Sequence, residues 1–530
     1  MVCLNWNSAR YALLTLTLVA TQAAANFDGT PDAGFNPPVS PHVAGVPGLF
    51  RFAWDIGGAA PNTNQDTATA IAMQADGKML VAGFSWNTSS GHSQNACTLA
   101  RFAADGSLDH GFGLDSIPGG MIAENFGNAS VKADCYPQFV AVQSDGRIVW
   151  GGTVYNGSAE FAWLARLSAN GFIDTSFGGN NTSFYGGLSK TSLASLVVDT
   201  DDSLLVAGHN IVPNASDTDF YLLALDADGN FLYSRSVPFD LGADINDRAN
   251  ALVLQQIPGI SCGVSCLIPA HSELYLVGSA NNAAYPDMAN RDCAVAAFRK
   301  GLLESEFTLD TNFGPASNGK LTMDFPVNGE GDNDCRVAIS RPGSGYQQVG
   351  QGVVVGGENY FISTLGGGTP GMASTYALAE IDPAGNVTRE DAFAFFKELA
   401  TPGIYNGIFA MAREPGGRIV VTGYAGASDS THTPSDVGVI RFNADYTRDT
   451  TFGNDGAGLT ILSLDGALPA GQREWGTAIA FDNRGRIVLA GERSANYSSG
   501  SNDYDWLISR LNTSDVIFRD GFNSAPPPAM

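Results

Sequence analysis

Basic side chains are scarce in this chain: 28 Lys and Arg stand against 53 Asp and Glu, a formal net charge of −25 over 530 residues. Such a surface repels nucleic-acid backbones and anionic lipid, so neither is expected as a partner. Histidine is rarer still, with His42, His92, His110, His209, His271 and His432 scattered and no His-Glu-x-x-His pair among them. That argues against a zinc-hydrolase helix. Long apolar runs are also missing: past the N-terminus nothing approaches the roughly 20 residues that a spanning helix needs. With 63 Gly and 44% hydrophobic residues, the composition is nevertheless that of a turn-rich folded protein rather than a disordered one.

The N-terminus carries the only strong targeting signal. Arg10 precedes an apolar run from Tyr11 to Ala20, and Ala23 and Ala25 have the small side chains of a signal-peptidase site. Residues 1–25 are expected to be a secretory leader, which makes the protein secreted or periplasmic. Its removal takes Cys3 and leaves Cys97, Cys135, Cys262, Cys266, Cys293 and Cys335. An even number in an exported chain points to disulfides rather than to a metal.

What the sequence has in abundance is repetition. The window "DGKMLVAG" ending at Gly83 returns as "DGRIVWGG" to Gly152, "DDSLLVAG" to Gly208, "HSELYLVG" to Gly278, "GQGVVVGG" to Gly357, "GGRIVVTG" to Gly423 and "RGRIVLAG" to Gly491. Copies lie about 56 to 79 residues apart, enough for four strands with loops. A short apolar strand such as "ATAIAMQA" precedes each window, joined to it in two copies by an Asp-Gly turn. A strand such as "LARF" follows, then in several copies "D-x-x-F-G" and one more strand. A four-stranded meander has two apolar faces and must be covered by its neighbours. Seven of them predict an all-β, seven-bladed β-propeller of four-stranded antiparallel blades over residues 26–522, followed by a loose Pro-rich tail at 523–530. "DGKMLVAG" is taken as the hairpin and inner strand of each blade.

These units resemble delta-60 repeats, bacterial sequences with "DGK-apolar-VAG", "LARL-DG" and "LD-x-x-FG" patterns. The resemblance implies a propeller-like fold and carries no catalytic residues to transfer.

Register then suggests contacts. Arg101, Arg166 and Arg441 share one position, and Asp109, Asp174 and Asp449 stand eight residues after them. Structural ion pairs are expected. Arg510, in the last copy, has Phe518 at that place. Its partner is expected from "TPDAGF" through Asp32, or from "FRDGF" through Asp520. Cys97 and Cys293 occupy equivalent places, as do Cys135 and Cys335, so Cys97 should pair with Cys135 and Cys293 with Cys335, stapling adjacent blades. Cys262 and Cys266 would close their own loop.

No cofactor is expected, and no catalytic set is found. The weak metal candidates are Glu330, Asp332 and Asp334 in "GEGDNDC", where calcium would be the ion. The expected role is an exported, monomeric, non-enzymatic module for a protein, glycan or small ligand. The alternative is a hydrolase or lyase with its site at the channel mouth.

Overall fold

The computed structural model describes residues 28–513 except 36–42, 55, 57–64, 88–93, 114–118, 127–132, 180–189, 212–216, 242–245, 262–266, 269, 283–290, 326–331, 342–351, 364–370, 394–404, 415, 428–434, 454–455, 464–472 and 496–502. The leader, Cys262, Cys266, Glu330, Asp520 and the tail lie outside the described residues.

Seven antiparallel sheets follow one another around a ring. Their inner strands are Asp66–Met73, Asp134–Val142, Thr191–Val198, Asp247–Ile257, Asp332–Ser340, Tyr405–Arg413 and Arg473–Phe481, which open blades 1 to 7. In blade 1 the order continues through Met79–Asn87 and Gln94–Phe102 to Met121–Glu124. Blade 2 shows three strands among the described residues. The "DGKMLVAG" strand is therefore the second of its blade rather than the inner one, and the apolar strand upstream faces the axis. The reason is packing. The second strand is covered by sheet neighbours on both sides and by blades on both faces, which is what its unbroken apolar run demands.

The Asp-Gly turn works as its chemistry requires. Gly77 takes φ +83°, its N–H donates to the Gln74 carbonyl at 2.9 Å, and Asp76 Oδ1 accepts from Lys78 N–H at 3.1 Å. Core is built between sheets, not within them. Ala82, Leu99, Trp150 and Trp163 meet between blades 1 and 2, for example, and Ala207, Leu222, Leu252 and Leu276 between blades 3 and 4. Each of the seven interfaces has its own buried cluster. Cys97–Cys135 and Cys293–Cys335 are disulfides that cross two of these interfaces, from a third strand to the next inner strand.

The ring is closed by the two ends of the chain. Leu49–Phe52 pairs with Asp503–Leu511 and so becomes the fourth strand of blade 7, with Val43–Val46 beyond it. Asp32 Oδ2 accepts from Arg510 Nε at 2.9 Å, and the Phe35 ring lies 4.5 Å from the Arg510 guanidinium. "FDGTPDAGF", Phe27 to Phe35, is thus the missing second half of the last repeat, matching "ADGSLDHGF" of the first. Closing the ring this way covers the edge that blade 7 would otherwise expose.

Candidate functional site

Every inner strand carries one extra residue at the same place. Pairing slips between Ala68 and Ala70, Pro137 and Phe139, Leu193 and Ser195, and Ala249 and Ala251. The same slip recurs between Cys335 and Val337, Ile408 and Ala410, and Gly476 and Ala478. These are β-bulges, and each one re-aims the residue it leaves unpaired. The seven unpaired residues, Thr69, Gln138, Ala194, Asn250, Arg336, Phe409 and Thr477, all line one cavity of about 740 Å³ on the ring axis.

The bulge explains the glycine that ends each repeat window. A Cβ on Gly208 would sit 1.9 Å from the Ser192 carbonyl oxygen, and on Gly278 1.9 Å from that of Arg248. The same clash recurs at Gly83, Gly152, Gly357, Gly423 and Gly491, in each case with the backbone just before the bulge. Only a residue without a side chain lets the bulged backbone approach so closely.

Three bulge residues also link blades. Thr69 Oγ1 donates to the Pro137 carbonyl at 2.6 Å, Asn250 Nδ2 to the Cys335 carbonyl at 2.7 Å, and Thr477 Oγ1 to the Ala68 carbonyl at 2.5 Å. The last of these joins blade 7 to blade 1.

The cavity is not seven-fold. Blades 4 and 5 crowd polar groups on one flank: Asn246, Arg248, Ser279, Asn281, Arg291 and Asp334 complete the lining. Asp334 Oδ2 lies 2.8 Å from Arg336 Nε and 3.0 Å from Arg291 Nη1, and Ser279 Oγ donates to Asp334 Oδ1 at 2.7 Å. Burial works to raise the Asp334 carboxyl, but Arg336, Arg291 and Ser279 outweigh it and hold it at about 2. Asp332 is gripped by Arg291 at 2.8 and 2.7 Å. The two described carboxylates of the "GEGDNDC" candidate, Asp332 and Asp334, are thus engaged by arginines. Arg336 also reaches Glu358 at 3.1 Å and stacks over Phe409 at 5.1 Å. Arg248 differs: it is exposed in the cavity wall, and among the described residues no carboxylate lies within ion-pair distance of it.

A second group of acids sits where blade 3 meets blade 4. Asp217, Asp219 and Asp240 bring carboxylate oxygens within 4.8 Å of one another. Burial, then Asp217 and Asp240, push Asp219 up to about 6. Burial raises Asp247 to about 7, with Asp240 and Asp219 adding to it against two backbone hydrogen bonds.

At the opposite ends of the strands the repeated arginines form a different construction. Arg101 Nε meets Asp109 Oδ2 at 2.8 Å, Arg166 Nε meets Asp174 at 2.8 Å, and Arg441 Nε meets Asp449 at 2.8 Å. Each guanidinium lies over the Phe of "D-x-x-F", at 4.7 Å for Phe112, 5.0 Å for Phe177 and 4.7 Å for Phe452. Each also leaves its own blade. Arg101 donates to the Ala169 carbonyl at 2.5 Å, Arg166 to Ala227 at 2.6 Å and to Asp228 at 3.0 Å, and Arg441 to Asp28. The contact is therefore a staple between neighbouring blades as well as an ion pair within one. Sequence register reveals the in-blade partner, whereas the cross-blade partner Asp28 is visible only by aligning "FDGTPDAGF" to the other copies.

Segments 74–112, 143–177 and 415–452 match the family described as "Domain of unknown function (DUF5122) beta-propeller". The chain carries β-propeller repeats. Each matched segment contains one Arg-Asp pair and runs to or through the Phe stacked on it, so the match falls on the three copies complete in one stretch of chain. No curated protein matches the chain. Among solved structures, polysaccharide lyase Uly1 is similar at 9% identity and TM-score 0.41, over 84% of this chain and 90% of that one. The GH93 alpha-L-arabinofuranosidase of Fusarium graminearum, solved with arabinobiose, aligns at 10% identity and TM-score 0.40 over 74% and 97%. The β-propeller domain of the Trilobed protease from Pyrococcus furiosus aligns at 8% and 0.37 over 87% and 99%. None of the three supports an argument about function.

Gly259 to Gly263 reads Gly-Ile-Ser-Cys-Gly, the spelling of a nucleophile elbow. Ser261 ends a two-residue strand paired with Leu267–Ile268, and the residues that follow it lie outside the described ones.

Proposed function

We propose that the protein is an exported, non-catalytic β-propeller, built of delta-60 units, that binds a hydroxyl-rich ligand bearing an anionic group in its axial cavity. The observation that carries this reading is the lining. Amide and hydroxyl side chains from blades 1, 2, 4 and 7 converge with one aromatic ring, and Arg248 stands among them with no ion pair among the described residues, Glu160 acting on it only from a distance. Asn, Gln, Ser and Thr supply donors and acceptors for hydroxyls, and an unpaired guanidinium suits a carboxylate or sulfate. An acidic glycan has both kinds of group. Two disulfides and a cleavable leader fit an extracellular or periplasmic setting.

Catalysis is the weaker reading for a specific reason. Glycoside hydrolysis needs a carboxylic acid that gives up a proton, opposite a second carboxylate. Among the described residues that line the cavity, Asp334 is the only carboxylate, and its arginine partners keep it ionised. Titration calorimetry with matched neutral and uronate-bearing oligosaccharides tests the proposal. Binding of the uronate series, weakened about ten-fold or more by Arg248→Ala, is expected. Equal affinity of the variant and the wild type, or turnover of the oligosaccharide, would overturn it.

A further inference from the structure

Asp217 and Asp219 stand at the start of the third strand of blade 3, Asp240 follows its outer strand, and Asp247 opens the inner strand of blade 4. Three separate stretches of chain thus deliver four carboxylates to one seam. Three of the four are more than nine-tenths buried: Asp217 at 8%, Asp219 at 6% and Asp247 at 0% exposure. Each of these three has a buried oxygen, Oδ1, with no hydrogen-bond partner among the described residues. That is an independent sign of a missing ligand, because buried carboxylate oxygens are ordinarily satisfied and buried charges ordinarily paired.

Among the described residues, the other charged groups do not supply the partner. Lys320 acts on Asp219 from a distance, but its ammonium is spent on the Pro238 carbonyl and on the Phe239 ring, 5.7 Å away. Asp247 Oδ2 accepts from Phe239 N–H at 2.6 Å, which leaves its Oδ1 for something else. The related position in blade 1 shows the contrast. Asp66 has the same backbone donor, from Trp54 at 2.8 Å, and its Oδ1 is filled by the Ser85 hydroxyl at 2.5 Å.

We propose that Asp217, Asp219 and Asp240 hold a calcium ion at the seam of blades 3 and 4, with Asp247 of blade 4 beside them. The donor set is all oxygen, with no imidazole or thiolate, which selects a hard cation over zinc or copper. Calcium takes six to eight oxygens in flexible geometry, and the exposed Asp240 leaves one side open to water ligands. Magnesium, which insists on near-octahedral geometry and holds its own water, should bind more weakly. Asn246 and Arg248 flank Asp247 along the strand and line the axial cavity, so the ion would also hold that wall in place.

The experiment uses the full mature chain stripped with a chelator, then titrated with calcium or magnesium chloride by calorimetry and followed by thermal melting. One calcium per chain is expected, with a rise in melting temperature of several degrees and a much smaller response to magnesium. Asp219→Asn should weaken calcium binding about ten-fold or more. The fold itself is checked separately. In chelator Asp219→Asn should melt no lower than the wild type, because it removes like-charge repulsion, while in calcium the order should reverse. Asp436→Asn, at the equivalent place in blade 6, should leave calcium binding unchanged. No calcium binding by the wild type, or the same calcium response in wild type and Asp219→Asn, would overturn the proposal, as would equal loss in Asp436→Asn.

Discussion

Replacing Arg166 by Ala removes a side chain with no exposed surface and at least four attachments. These are Asp174 at 2.8 Å, the Ala227 carbonyl at 2.6 Å, Asp228 at 3.0 Å and the Phe177 ring at 5.0 Å. Breaking one side of a buried ion pair costs about 3–5 kcal/mol, because the remaining charge stays buried without its partner. Asp174 keeps 20% exposure and Asp228 62%, so water relieves part of that charge and the lower end, about 3 kcal/mol, is expected. Asp174→Ala should cost less, about 1–2 kcal/mol, because Arg166 retains its two bonds to blade 3. The double variant should then be little worse than Arg166→Ala alone, with a coupling energy of about 1–2 kcal/mol. Urea unfolding with the disulfides intact, followed by tryptophan fluorescence, reads these differences from the midpoints at constant slope. Arg166→Lys keeps the charge but loses the fork, and should recover less than half of the loss. Additive costs, or a larger loss from Asp174→Ala than from Arg166→Ala, would refute the picture of one guanidinium stapling two blades.

Asp32→Ala should lower the urea midpoint by about as much as Asp109→Ala, although Asp32 is 478 residues from Arg510 in sequence; no effect would mean the ring is not closed by that contact. Gly208→Ala should destabilise by about 1–3 kcal/mol or more, since a Cβ 1.9 Å from the Ser192 carbonyl forces the bulge apart, and an unchanged melting temperature would remove the bulge as the reason for the glycine. Asp334 contributes one pH dependence at the acid end. Its carboxyl lies below its usual value of 3.8, at about 2, so its stabilisation is fully present above about pH 4 and is lost as pH falls toward 2. The melting-temperature gap between wild type and Asp334→Asn should therefore be wide at pH 5 to 7 and narrow by pH 2. A gap that does not change with pH would contradict the arginine clamp.

Much of this protein is set by chemistry that acts over a few residues. Asp76-Gly77 makes its hairpin wherever it stands, the apolar run after it needs cover on both faces, and seven such units of similar length leave no end uncovered without capping units when the array closes. Equivalent register was enough to pair Cys97 with Cys135 and Cys293 with Cys335, because parallel positions in a regular ring lie equally far apart. What register could not tell was direction. From its own pattern the repeated strand reads as the axial one, yet the axis belongs to the strand before it, and a one-residue bulge decides which side chain enters the cavity. That choice depends on the backbone of two strands at once, so Thr69, Gln138, Asn250 and Phe409 have no motif of their own. The acids of the blade 3 and blade 4 seam were hidden for a related reason. "GEGDNDC" looks dense in sequence, but its aspartates are neutralised by Arg291 and Arg336, while Asp217, Asp219 and Asp240 are spread along the chain and become a cluster only in the fold, with Asp247 of the next blade acting on them. Local rules determined the blade and its count. Only the tertiary structure decided what faces the axis and which charges are left without a partner, because both depend on contacts between segments far apart in the chain.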